Sequence, residues 1–78
     1  MKVQVQFLTK SENQVKPLSG KNEIQLLDER KSLNSHIKDA FDLIEKHEQK
    51  EVIIGFNIVE VHSFQNREII VHQNIFDY

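Results

Sequence analysis

Four histidines, His36, His47, His62 and His72, are the side chains best suited by type to move protons or hold a metal ion. Imidazole titrates near neutrality, and a histidine with a carboxylate is the minimum set for either task. His62 and His72 stand on the two sides of a polar segment, with Glu60 just before it. If the flanking runs pair as a hairpin, the register can set Glu60 opposite His72 and gather Glu60, His62 and His72 into one site. The same neighbours read equally as ordinary cross-strand polar pairing. No spacing typical of metal ligands supports the site, so neither a metal nor a catalytic residue is expected. His36 and His47 fall on nearly the same side of a helix but ~16 Å apart along its axis, too far to share an ion within one chain. Their plain reading is boundary residues beside an apolar stripe.

Other chemistries are excluded more simply. The chain has no cysteine, which removes disulfides, zinc–thiolate centres and cysteine nucleophiles. It has no G-x-S-x-G elbow, and the isolated Gly20 and Gly55 form no phosphate-cradling loop. No cofactor is expected. Lys2, Lys10, Lys16, Lys21 and Lys31 concentrate positive charge ahead of an acidic segment. With nearby amides and imidazoles they outline a weak platform for a small anionic ligand or signal nucleotide at an oligomer interface: Gln4, Gln6, Lys16, Lys21, His62 and His72. Scattered solvated lysines are the plainer alternative. The net charge is −2, and lysine far outnumbers the bidentate arginine that phosphate recognition favours. A nucleic-acid-binding accessory role is therefore a third reading, and attraction to an anionic membrane is not expected.

Seventy-eight residues make one domain, 1–78, in which only a small core can form. The hydrophobic fraction of 38% is lean, and small lean cores often complete their burial by association. Absence of cysteine, of an apolar leader and of any long apolar run predicts a soluble cytoplasmic protein that does not enter a membrane.

The elements that would position these groups can be read from periodicity. Residues 2–8 alternate, with Val3, Val5 and Phe7 on one side and Lys2, Gln4 and Gln6 on the other, the period of a strand open to solvent on one face. Residues 9–22 are polar and read as a long exposed connection turning between Pro17 and Gly20, pinned by Val15 and Leu18. Residues 23–27 are a short edge strand or a lead-in to the helix. Residues 29–49 carry Leu33, Ile37, Ala40, Phe41 and Ile44 on one helical stripe, with Asp28 as N-cap or Ser32 if the helix begins later.

Residues 51–76 then write a long β-hairpin, apolar on both faces, with Asn66 as the left-handed residue of its turn. The dominant parity changes at Ile58–Val59, which predicts either a central strand covered on both sides or a bulge, and Gly55 fits both. The fold class is α+β in two layers, one amphipathic helix on a small antiparallel sheet, in the order strand, short strand, helix, two-stranded hairpin.

One helix covers one face. Some of Ile53, Val59, Val61, Ile70 and Phe76 should therefore stay exposed in a monomer and mark an interface with a second copy or a host protein. The order of an alternating strand, an acidic-capped helix and a final hairpin ending in an aromatic resembles very small Firmicutes proteins associated with sporulation and phages. That resemblance implies the fold but carries no site residue. The function expected is a small non-enzymatic binding module acting through homo-oligomerisation or a protein partner, of the kind a phage or mobile element uses as an inhibitor.

Overall fold

The sheet is assembled on β1 (Lys2–Ser11), whose strict alternation divides a buried row from a polar one. In the computed structural model, which describes residues 1–18 and 24–76, β1 pairs along one side with β4 (Gly55–His62), and β4 in turn with β5 (Arg67–Ile75). Its other side is shared by two short strands, β2 (Gln14–Pro17) against its C-terminal half and β3 (Ile24–Leu27) against its N-terminal half. All these pairings are antiparallel. Together with the helix α1 (Leu33–Glu45) they make an α+β domain with a curled five-stranded sheet. β2 and β3 act as two lengths of one edge strand. Leu18 still donates its N–H to Phe7 O at 2.8 Å, and Ile24, the next described residue, stands opposite Gln6.

The polar segment after residue 8 is thus only in part a connection. β1 runs on to Ser11, and Glu12 and Asn13 turn the chain with φ of 53° and 68°. Two successive positive φ values make the two-residue loop whose twist matches a hairpin. Hydrophobic alternation could not reveal this hairpin because β2 has no buried face: its four residues are all exposed. Pro17 lies on this edge strand, where a missing N–H costs no ladder bond. The expected turn at Gly20, and Lys21, lie outside the described residues. Residues 24–27 are the edge strand rather than a lead-in.

The helix begins four residues later than the acidic start suggests. Ser32 has extended backbone angles, and its Oγ accepts the N–H of Ser35 at 3.3 Å, satisfying one of the free donors of the first turn. Asp28 caps nothing. Its carboxylate instead takes three bonds of 3.0 Å from Arg30, through the backbone N, Nε and Nη2. The helix ends at Glu45, and a 3-10 turn (Lys50–Val52) leads into the hairpin. Its buried residues are His36, Ala40 and Ile44, with Leu33 and Phe41 exposed at the margins. His36 therefore lies within the stripe, not beside it. Phe41 leans off the helix instead, meeting Phe56 edge-on at 5.2 Å and stacking on Phe76 at 5.6 Å.

Directly paired residues point to the same side of a sheet, so the registers define its two faces. Val3, Val5 and Phe7 share the helix side with Phe56 and Ile58. With Leu18, Ala40, Ile44 and Ile53 these form the core, and Val5, Phe7, Phe56 and Ile58 are its fully buried members. β4 is a central strand with unbroken alternation. The irregularity at Ile58/Val59 belongs to its partner, since Ile58 pairs with His72 and Val59 with Ile70, leaving Val71 as an extra residue in β5. Gly55 sits where β5 approaches most closely: a Cβ there would strike Asn74 O and lie 2.9 Å from Ile75 Cα.

Candidate functional site

The face of the sheet turned away from the helix is built as parallel rows across the strands. One row holds Leu8, Gly55 and Ile75, with Pro17 beside Leu8. The next holds Gln6, Asn57 and Gln73. A third holds Leu26, Gln4, Val59 and Ile70, a fourth Lys2, Val61 and Glu68, and beyond Leu8 and Pro17 a fifth holds Lys10 and Val15. The amide row is a closed ladder. Gln73 Nε2 donates to Asn57 Oδ1 at 2.8 Å, and Asn57 Nδ2 donates to Gln6 Oε1 at 3.0 Å. Asn57 is only 4% exposed, and bonding at both ends of its amide offsets the desolvation that burial imposes.

Apolar rows flank this ladder, covered at their centres, where Leu8 is 3% exposed and Gly55 is buried, and wet only at the edge strands. Leu26 is 66% exposed, Ile70 55% and Ile75 47%. Of the five residues expected at an interface, Val59, Val61 and Ile70 do share this face. Val59 is nevertheless 7% exposed, shielded within a central strand, while Ile70 on the edge strand stands out. Ile53 and Phe76 are placed otherwise: Ile53, 5% exposed, belongs to the core, and Phe76 packs against it. Ile53 precedes β4, so strand alternation counted back through it assigns the wrong side. Leu26, Ile75 and Val15, the last paired with Lys10, join the exposed set. A pairing of residues 23–27 with β1 would have revealed Leu26, because the Leu26–Leu27 doublet then sends one leucine to each face.

The residues considered as a ligand platform are not brought together. Gln4 and Gln6 lie on the open face, His62 and His72 on the helix side, Lys16 is exposed on β2 opposite Thr9, and Lys21 is outside the described residues. Nor does Glu60 face His72. The register set at the turn, where His62 pairs with Arg67, places Glu60 opposite Ile69, and beyond the extra residue of β5 His72 stands opposite Ile58. Glu60 Oε1 instead lies 3.1 Å from His62 Nε2 on the same strand, a half-exposed local pair. Among the described residues no three His, Asp or Glu side chains form a group able to hold a metal.

The remaining histidines serve packing. Nδ1 of His47 accepts the Gln49 N–H at 3.0 Å, so the ring proton sits on Nε2, which is buried without a hydrogen bond. That ring meets Phe7 nearly edge to face, 5.0 Å between centroids, a contact favoured by the aromatic quadrupole. The one strongly perturbed acid among the described residues, Asp28, is held at about 2 by its hydrogen bonds from Arg30 and lies apart from the open face on the segment before the helix.

No family model, curated protein or solved structure matches the chain, and nothing links it to small sporulation or phage proteins. Among the described residues no helix is long and apolar enough to cross a membrane.

Proposed function

We propose that this chain is a non-enzymatic protein-binding module whose working surface is the open face of the sheet. The carrying observation is the exposure of Leu26, Ile70 and Ile75 on one face of a strand-paired scaffold. Exposed apolar side chains gathered on one face, here at its two edges, are costly in water and mark sites of association. In this reading the domain is two layers, helix on sheet, and a partner supplies the third. Rigid strands hold the contact residues, so little ordering entropy opposes binding. A cysteine-free chain that works by occluding a partner suits a cytoplasmic setting.

The test is a comparison of the wild-type chain with Ile70→Lys and Leu26→Lys, both at exposed positions that carry little of the core. Association should fail in the variants while far-UV circular dichroism stays unchanged. Wild-type and variant chains that behave alike in light scattering and in chemical cross-linking would refute the proposal.

A further inference from the structure

We propose that the groove between the outer edge of β3 and the C-terminal half of α1 takes an extended peptide segment of another protein. The segment adds to β3 as a further strand and sets aliphatic side chains, at alternate positions, into two hollows beside the helix. This groove is separate from the open face, and the inference does not rest on the role proposed for that face.

The edge supplies the backbone chemistry. β3 pairs with β1 alone, and in an antiparallel pair alternate residues turn both N–H and C=O away from the partner strand. Among the described residues nothing meets those outward groups of Gln25, Leu26 and Leu27. A row of N–H and C=O groups at strand spacing is matched by another extended backbone, which can bond to each of them in turn. β3 suits this better than the opposite edge. There β5 carries an extra residue at its centre, which breaks the step of an incoming strand.

The hollows supply the side-chain selectivity. Leu27 pairs with Val3 and Gln25 with Val5, so both face the helix side, two residues and ~6.6 Å apart along the strand. A hollow of about 320 Å³ at Leu27 is lined also by Leu43, Lys31, Asp39 and Asp42. A second, of about 280 Å³ at Gln25, is lined also by Phe7, Leu43, Lys46 and His47. Leu43 and Lys46 line both, so the two are adjoining lengths of one groove. Their spacing is that of residues i and i+2 of an extended chain, whose side chains alternate between faces. A helical ligand presents its side chains at i, i+3 and i+4 and would leave the β3 edge unpaired.

Charge sets the direction. Asp39 and Asp42 stand at the Leu27 end and His47 at the Gln25 end, with Lys46 reaching both. Lys31 is held by Asp39 at 3.3 Å, whereas Asp42 and Lys46 have no ion pair among the described residues. A strand running antiparallel to β3 enters at the Leu27 end, so a basic residue before its first aliphatic side chain and an acidic one after its second are complementary to the groove.

The probe is the blocked peptide acetyl-Lys-Val-Thr-Val-Glu-amide, added to the isotope-labelled full chain at several millimolar, so that even a Kd of ~1 mM is seen. Saturable chemical-shift changes are expected at the amides of Gln25, Leu26, Leu27 and Leu43. Two N-methylated forms test the strand pairing, one modified on both valines and one on the threonine and glutamate. Only alternate N–H groups of an added strand face β3, so one form should lose at least ~tenfold in affinity and the other should keep it. The Ile70→Lys chain should bind the peptide like the wild type. Absence of any shift overturns the inference, as does an equal response to the two N-methylated forms. Shifts centred on Ile70 and Ile75, or loss of binding in Ile70→Lys, would assign the peptide to the open face and overturn the groove alone. Shifts of the β3 amides that grow with the chain's own concentration, without peptide, would make a second copy the occupant and overturn it too.

Discussion

Gln73 gives Asn57 a 2.8 Å hydrogen bond across the β4–β5 pair, and Asn57 gives Gln6 one of 3.0 Å across the β1–β4 pair. One buried amide thereby ties three strands together on a face that the helix does not cover. Asn57→Ala removes both bonds and strands two amides whose other neighbours are apolar rows. Its expected cost is about 1–3 kcal/mol, read from the midpoint of urea unfolding. A loss below a few tenths would show that the ladder is decorative.

Gly55 is the position least able to accept a side chain, because the Asn74 carbonyl occupies the space a Cβ needs. Gly55→Ala must push β5 away, and with it the bond from Phe76 N to Ile54 O at 2.7 Å. Destabilisation of roughly 2–4 kcal/mol is expected, together with faster amide exchange at Phe76. Unchanged exchange there would place the strain elsewhere.

The start of the helix can be decided by two substitutions. Ser32→Ala deletes the side chain that accepts the Ser35 N–H and should cost ~1 kcal/mol. Asp28→Ala should leave helicity by circular dichroism untouched, since its partner is Arg30 and not a helix donor. The reverse ranking would return the cap to Asp28.

Acid sensitivity should carry a small signature of the same carboxylate. Hydrogen bonds from Arg30 hold Asp28 near 2 in the folded chain against an ordinary 3.8. A depressed folded value means that its stabilisation is complete above about 3.8 and is lost as pH falls toward 2. Asp28→Asn should flatten stability against pH over that window and leave the curve above pH 5 unchanged. Because the pair is exposed, screening by water and salt keeps the effect modest. An unaltered profile between pH 2 and 4 would mean that the Arg30 contact does not persist in solution.

Periodicity revealed those elements that bury a face. The alternation of Val3, Val5 and Phe7, the stripe through Ala40 and Ile44, and the left-handed Asn66 (φ 51°) all correspond to physical constraints local to a few residues. The first hairpin was hidden because neither side of β2 is buried, so no apolar period marks it. The helix start was obscured by an aspartate whose better partner, an arginine two residues on, holds it in a local turn. The side on which Ile53 and Phe76 fall depends on where strand geometry begins and ends, which a parity count cannot locate. Glu60 and His72 fail to meet because the turn pairs His62 with Arg67, a register that puts Glu60 opposite Ile69. A register is a property of two strands at once, and one strand's sequence does not contain it.

The extra residue of β5, Val71, is the fifth of the nine in that outermost strand. A long apolar border strand invites another to add to it, then another, and sheets extended in this way end as fibrils. With one residue too many at its centre, the border bends, and no incoming strand can keep step with both of its halves. Growth by lateral addition along this edge is thereby obstructed at its middle.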